Sequence, residues 1–135
     1  QSVTGYPRGT DVNSYWIVKE AMGADLKRQG TPLSHGMAFR LQHMTTGKNL
    51  HSHRHSAPLS SGGFEVSCYK GEDTGDNWII DVPGKGDWKR GENVRIKHAD
   101  MSTYLFSHSR QYGNPIAGQN EVKAVTKRSA DVYWH

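Results

Sequence analysis

Short runs of alternating apolar and polar residues predict that this chain is built from β-strands. Residues 37–43 place apolar side chains on one face and polar ones on the other, and residues 94–98 repeat the pattern. Alternation with a period of two over so few residues is typical of half-buried antiparallel strands. A turn separates the first run from residues 50–53, so these two runs are predicted to form a hairpin. The only candidate helix, residues 19–29, lacks a firm apolar stripe.

The strand pattern occurs twice in full and once in part. Residues 39–43 return as residues 94–98, and the Leu-His-Ser-His sequence at 50–53 returns as Leu-Phe-Ser-His at 105–108, each displaced by 55 positions. Residues 1–18 match the closing half of the same unit. Self-similarity at a fixed period indicates one supersecondary unit stacked on itself.

The repeats organise the chain as a single domain, residues 1–135. Residues 1–18 are the end of a first repeat, residues 37–82 are the second, and residues 92–135 are the third. A unit of two hairpins cannot bury its apolar face alone, so the copies must share one core. Three four-stranded units around a pseudo-threefold axis form an all-β fold, the β-trefoil, although the periodicity alone also allows a propeller fragment. Because the first repeat is incomplete in this chain, one side of the barrel is expected to be open.

Composition narrows the classes of function. Apolar residues make up 34% of the chain and there are 15 glycines, which favours short strands joined by many turns. The formal net charge is +4, but basic and acidic residues are interleaved, which indicates a solvated surface rather than a nucleic-acid interface. No stretch approaches the roughly 18 apolar residues that a membrane span requires. Cys68 is the only cysteine, so no intrachain disulfide can form, and its strand-like position predicts a buried, inert thiol.

Little in the sequence indicates catalysis. It contains no nucleophile motif, no phosphate-binding glycine loop and no pair of carboxylates singled out as acid and base, so we predict neither an enzyme nor a cofactor. The alternate histidines His51, His53 and His55 could chelate zinc, but no segment supplies further ligands, and no metal site is predicted. The return of His53 as His108 favours a structural histidine that bonds backbone in each repeat.

Tryptophans mark the end of each repeat. Trp16, Trp78 and Trp134 occupy equivalent places, and a large ring repeated in this way is predicted to pack in the core rather than stack on a sugar. Asp76 and Asp131 lie just before the second and third of them. Each aspartate is predicted to accept hydrogen bonds from the backbone of a turn.

Several segments resemble the MIR repeat, namely residues 1–7, 13–16 and 50–53. That module is shared by protein O-mannosyltransferases, inositol trisphosphate and ryanodine receptors, and the stromal cell-derived factor 2 family. Further segments look most like the stromal cell-derived factor 2 type, namely residues 57–59, 65–67, 73–76 and 111–119. The resemblance implies a β-trefoil of three MIR-type repeats, the first of them incomplete in this chain.

The function that this resemblance implies is a non-catalytic binding module of the endoplasmic-reticulum lumen. It would associate with lumenal Hsp70 and J-domain chaperones in protein quality control and handle unfolded or O-mannosylated proteins. The alternative is the MIR domain of a protein O-mannosyltransferase, whose chemistry lies in membrane segments outside this sequence. Neither hypothesis involves nucleic acid or a membrane span in this segment.

Two equivalent grooves are predicted as ligand sites, each lined by the Leu-x-Ser-His strand and the Glu-Val strand that follows. A sugar needs polar groups at fixed angles beside an apolar wall, so the groove with more hydrogen-bond donors is favoured. Phe106 replaces a histidine in the third repeat, which favours the groove of the second. The candidate ligand-binding residues are His51, His53, Arg54 and Glu65 in the second repeat and His108 and Glu121 in the third.

A separate surface is the candidate for contact with a partner protein. Trp88 lies outside the repeat pattern, in a connector with Lys89 and Arg90. A ring in such a place is expected to be exposed, and exposed aromatic rings beside basic residues are typical of protein contacts.

Overall fold

The computed structural model of this protein describes residues 1–24, 30–129 and 132–135. Within these residues the regular structure is two short 3-10 turns and ten β-strands, which confirms the all-β class. The 3-10 turns are Val12–Ser14 and Thr74–Asp76, and the strands are β1 (Thr4–Gly5), β2 (Trp16–Glu20), β3 (Ala38–His43), β4 (Asn49–Ser56), β5 (Phe64–Tyr69), β6 (Trp78–Asp81), β7 (Val94–His98), β8 (Tyr104–Gln111), β9 (Asn120–Val125) and β10 (Tyr133–Trp134).

Part of the candidate helix is strand instead, because residues 19 and 20 complete β2. Residues 25–29 of that segment lie outside the described residues, as does Asp131. In the part of the chain that the structure describes, no helix is long and apolar enough to cross a membrane.

The strands form a barrel wall and a capping layer. β2, β3, β6, β7 and β10 pair in that order, all antiparallel, and make the wall. The hairpins β4–β5 and β8–β9 make the cap, joined by pairing of β9 with β5 and with β1. The third strands of the three repeats thus meet around a pseudo-threefold axis. This is the predicted β-trefoil, and not the propeller fragment that the periodicity alone also allowed.

The core is built from equivalent side chains of the two full repeats. Phe39 and Val94 lie at equivalent positions near the start of their barrel strands and are fully buried, as is Trp78. The indole N–H of Trp78 donates to the Leu50 carbonyl at 3.0 Å, and that of Trp134 donates to the Leu105 carbonyl at 3.0 Å. The tryptophans therefore pack against the core and tie the cap to the barrel, as predicted.

A cavity of about 1280 Å³ reaches into the core beside the ends of the barrel wall. It is bounded by β1, β2 and β10 and by core side chains of both full repeats, among them Leu41, Leu50, Ile96 and Leu105. The cavity lies where an opening is expected, because β2 and β10 are the two end strands of the wall. Cys68 also borders it, and burial raises the pKa of this thiol, in agreement with an inert cysteine.

Candidate functional site

Polar side chains converge on a cleft of about 320 Å³ between the second and third repeats. Strand β4 forms one wall. The 3-10 turn Thr74–Asp76 and the turn after β7 form the other wall, and they bring together residues that lie about 25 positions apart in sequence. The exposed rim carries Arg54, Asp73, Thr74 and Asp100, while the floor is made by the buried rings of His51 and His98.

His51 lies at this floor as part of a buried polar pair. Its Nδ1 is 2.9 Å from Oδ1 of Asp76, a carboxylate with no exposed surface. The other oxygen of Asp76 accepts the backbone N–H of Asp73 at 3.2 Å, which closes a capping box around the 3-10 turn. Gly75 is required inside this turn, because an added Cβ would lie 2.4 Å from Cε1 of His51. The pair therefore braces the turn.

The same residues have the geometry of a potential metal-binding group. Ligand atoms of His51, Asp73 and Asp76 lie within 4.8 Å of one another. However, Oδ1 of Asp73 already accepts the Gly75 N–H at 2.8 Å, and both oxygens of Asp76 are used as described above. Because the acceptors bind backbone and imidazole protons, the arrangement is accounted for by turn capping alone.

The third repeat carries a different pair at the same places. Val132 lies two residues before Trp134, as Asp76 lies two residues before Trp78, and its N–H donates to the Ser129 carbonyl at 3.4 Å. The corresponding bond of Asp76 goes to the carbonyl of Asp73 at 3.2 Å. The structural counterpart of Asp76 is therefore Val132, and the sequence match of Asp76 with Asp131 was wrong by one position.

Both members of the buried pair change together between the repeats. The second repeat has His51 and Asp76, and the third has Phe106 and Val132. Replacement of a hydrogen-bonded pair by two apolar side chains leaves no buried polar group without a partner. This concerted exchange indicates that the pair fills and stabilises the interior. His51 is thus placed beneath the cleft rather than on its exposed wall.

The recurring histidines His53 and His108 face glutamate side chains, so the predicted bond from each of them to backbone was wrong, and the surroundings of the two histidines differ. Nε2 of His53 lies 3.5 Å from Glu65, and both side chains are 37% exposed. Nε2 of His108 lies 2.9 Å from Glu121, which is completely buried. The groove of the second repeat is therefore accessible at the place where that of the third is closed.

A loop of the second repeat closes the groove of the third. The carboxylate of Glu121 accepts the N–H of Leu59 at 2.8 Å, the N–H of Ser60 at 3.2 Å and the hydroxyl of Ser60. Lys123 holds the same loop through the Ser60 hydroxyl and the Gly62 carbonyl, both at 2.8 Å. Burial acts to raise the pKa of Glu121, but these hydrogen bonds and that of His108 outweigh it and hold the pKa below its usual value.

The connector residues are only partly exposed. Lys89 and Arg90 are exposed, but the ring of Trp88 is half-buried and packs against the core, 5.8 Å from the ring of Phe39. Its backbone N–H donates to the Leu33 carbonyl at 2.7 Å. The expectation of an exposed ring was wrong, because the connector folds back and buries the apolar side chain.

Of the predicted ligand residues, the cleft brings together His51, His53 and Arg54. Glu65 contacts His53 but does not line the cleft, and His108 and Glu121 lie in the closed groove of the third repeat. The sequence-based prediction missed the opposite wall, whose members are Asp73, Thr74, His98, Asp100 and Met101. Two signals could have indicated it, namely the capping pattern of residues 73–76 and the return of His43 as His98.

Comparison with known proteins identifies what the chain is similar to. A family model described as the MIR domain matches residues 1–133. The chain is 46% identical over 138 residues to the stromal cell-derived factor 2-like protein of Arabidopsis thaliana, covering 99% of this chain and 62% of that protein. It is 41% identical over 137 residues to stromal cell-derived factor 2 of Homo sapiens, covering 99% of this chain and 64% of that protein. The chain thus spans less than two thirds of these curated relatives.

Solved structures show the same fold. The crystal structure of the SDF2-like protein from Arabidopsis thaliana matches with a TM-score of 0.93 and 45% identity, over 99% of this chain and 75% of that one. The S. cerevisiae protein O-mannosyltransferase Pmt1-Pmt2 complex bound to the sugar donor matches with a TM-score of 0.87 and 27% identity, over 100% of this chain and 20% of that one.

Proposed function

This chain belongs to the MIR-domain family and is similar to the stromal cell-derived factor 2-like proteins, and we propose that it is a non-catalytic binding module of the endoplasmic-reticulum lumen. In this role it associates with lumenal Hsp70 and J-domain chaperones during protein quality control. Its clients are unfolded or O-mannosylated proteins. The names of these similar proteins denote no enzyme, which supports a binding rather than a catalytic role.

The observation that carries the binding role is the contrast between the two full repeats. The groove of the third repeat is filled by the loop around Ser60, which belongs to the second repeat, whereas the groove of the second repeat leaves His53 and Glu65 partly exposed. The adjoining cleft adds Arg54 and Asp100 at its rim. A cationic donor and a carboxylate acceptor facing one another across a cleft suit a hydroxyl-rich ligand, because each hydroxyl both donates and accepts.

Titration with mannosides and a mannosylated peptide tests this assignment, with the unmodified peptide in parallel. Histidine side-chain NMR signals should shift for His53 and stay unchanged for His108, whose nitrogen is bonded to a buried carboxylate. Arg54→Ala should weaken binding by about tenfold, the loss expected when one charge-assisted hydrogen bond is removed. Arg110→Ala, an exposed arginine on the equivalent strand β8, is the matched control. Shifts confined to His108, or no shift at all, would reject sugar binding at this cleft.

Chaperone association is assigned to a different surface. Lys89 and Arg90 are exposed beside the half-buried Trp88, whose ring packs against Phe39. The connector therefore presents two positive charges from a segment that is anchored to the core. Charge reversal of both residues should reduce co-precipitation of lumenal Hsp70 and J-domain chaperones, because like charges across an interface repel. Charge reversal of Lys127, an exposed residue after β9, is the control. Recovery of neither chaperone with the unaltered chain would contradict the association.

The second candidate function is the MIR domain of a protein O-mannosyltransferase. The high TM-score against the Pmt1-Pmt2 complex favours it, whereas 27% identity against 45–46% for the stromal cell-derived factor 2-like proteins disfavours it. The length of the natural parent protein distinguishes the two candidates. A mannosyltransferase carries many transmembrane helices, each readable as an apolar run of about 20 residues.

A further inference from the structure

His98 connects the two turns that form one wall of the cleft. Its Nε2 lies 2.8 Å from the carbonyl oxygen of Gly75, and its Nδ1 lies 3.3 Å from the backbone nitrogen of Met101. A carbonyl can only accept and a backbone N–H can only donate, so Nε2 carries the proton and Nδ1 is the acceptor. The contacts therefore assign a neutral ring with one tautomer.

The ring has no exposed surface that water could use to replace these bonds. His98 is 1% exposed, and its ring packs at the edge of Trp78 with centroids 4.8 Å apart. A second bond joins the same two turns at the surface, where the hydroxyl of Thr74 donates to Asp100 at 2.7 Å. The wall is thus held by the buried ring, by this exposed bond and by the backbone N–H of Ala99, which donates to the Asn77 carbonyl at 3.0 Å.

The second repeat contains the same histidine with one difference. His43 lies 55 positions earlier, and its Nε2 donates to the Asn13 carbonyl at 2.8 Å. Its Nδ1 pairs with the hydroxyl of Thr46 at 2.9 Å. A hydroxyl can donate or accept, so this bond survives when Nδ1 gains a proton. The position of Thr46 is occupied by Met101 in the third repeat, where only the backbone N–H faces the ring.

We propose that His98 is a proton-sensitive connection in the binding cleft, which holds the wall carrying Asp100 and Met101 in place while neutral and releases it when protonated. Protonation turns Nδ1 from an acceptor into a donor that faces the donating N–H of Met101. The bond between Nδ1 and the Met101 N–H is then lost, and the imidazolium Nδ1–H is left buried without an acceptor. Ligand binding at the cleft, which rests on the proposed function, is consequently lost on acidification.

Burial outweighs the charged groups around the ring. Burial lowers the pKa of His98 below its ordinary value of 6.5, and nearby His51 lowers it further. The bond to the Gly75 carbonyl and the carboxylates of Asp100 and Asp76 act to raise this pKa. Asp76 is engaged by His51 at 2.9 Å, so it is not free to pair with a protonated His98. Since the folded-state pKa is the lower one, stability is fully present above about pH 6.5 and is lost as the pH falls through the folded-state pKa.

Amide hydrogen exchange of residues 100–102, corrected for intrinsic rates, tests the connection without any ligand. Protection of the Met101 amide should fall about tenfold for each pH unit between pH 6.5 and the folded-state pKa of His98, and should level off below that pKa. Met101→Thr restores the arrangement found at His43 and should abolish this fall. Thr46→Met makes the reciprocal change and should create acid sensitivity in the turn after β3. Circular dichroism verifies that both variants are folded.

Ligand titration at several pH values separates this proposal from the proposed function. Loss of affinity that parallels the exchange, and that Met101→Thr removes, supports both. Acid-dependent exchange with no mannoside bound at any pH supports the connection and rejects the ligand assignment. An affinity independent of pH, an NMR-measured pKa of His98 at or above 6.5, or equal acid sensitivity in the chain and in Met101→Thr would overturn the connection.

Discussion

Replacement of the buried pair His51 and Asp76 by the pair found in the third repeat, Phe106 and Val132, tests whether the two pairs stabilise their repeats in the same way. The substitutions are His51→Phe and Asp76→Val, made singly and together. Each single variant leaves one polar partner buried without its companion, whereas the double variant reproduces the combination at Phe106 and Val132. The double variant should therefore be more stable than the sum of the single effects predicts.

The structure sets the size of the effect. His51→Phe removes the 2.9 Å bond to a carboxylate with no exposed surface. Loss of one partner of a buried hydrogen-bonded pair of this kind costs up to about 3–5 kcal/mol, and the remaining bonds from the Asp73 N–H and the Asn49 amide place this case at about 3 kcal/mol. Asp76→Val leaves the His51 and Asp73 N–H groups and the side-chain amide of Asn49 without this acceptor, at about 1–3 kcal/mol each. The Asp73 and Asn49 groups are still orphaned in the double variant, but the cost of separating His51 from Asp76 occurs in both single variants and not in the double one. The coupling should therefore reach about 4 kcal/mol, from about 3 kcal/mol in His51→Phe and about 1 kcal/mol for the His51 N–H in Asp76→Val.

Urea unfolding followed by tryptophan fluorescence gives the free energy of unfolding of each variant. The control is His55→Phe, an exposed member of the same histidine row, which should change stability by less than about 0.5 kcal/mol. If the double variant equals the sum of the single variants within about 0.5 kcal/mol, the two positions are not coupled and the structural interpretation of His51 fails.

Two other predictions concern the loop that closes the third-repeat groove. Gly63→Ala should be clearly destabilising, because φ is +85° and the new Cβ would lie 2.7 Å from the Ala124 carbonyl oxygen. Gly62→Ala is the control, because its Cβ meets no atom within 4 Å at φ +76° and it should cost only the backbone strain of about 1 kcal/mol. Equal melting temperatures of the two variants would contradict this prediction. Glu121→Gln should reduce the loss of folding stability at acid pH. The lowered pKa of Glu121 stabilises the fold above the ordinary pKa of 4.5, and this stabilisation is lost as the pH falls through the folded-state pKa. Parallel curves of unfolding free energy for the two proteins between about pH 3 and 7 would show that this carboxylate does not cause the acid sensitivity.

The repeat pattern allowed the fold to be predicted from the sequence. Residues 94–98 were predicted as a strand and β7 has these bounds, and Trp78 and Trp134 pack as equivalent rings should. Such features are readable because alternation and self-similarity are properties of neighbouring residues along the chain. A match by residue type paired Asp76 with Asp131, whereas the 56-residue displacement of Trp78 and Trp134 places Val132 opposite Asp76.

The chemistry of the cleft was decided by the tertiary structure. Segments from β4, from the turn at Thr74 and from the end of β7 meet there, and the sequence of none of them indicates that it lies beside the other two. Burial of Trp88 and closure of the groove at Glu121 likewise depend on loops that fold back from elsewhere. The sequence by itself determined the unit, its number of copies and the core they share, because periodic apolar positions act locally. Only the packed structure decided which polar groups face solvent, because hydrogen-bond partners are chosen by distance in space.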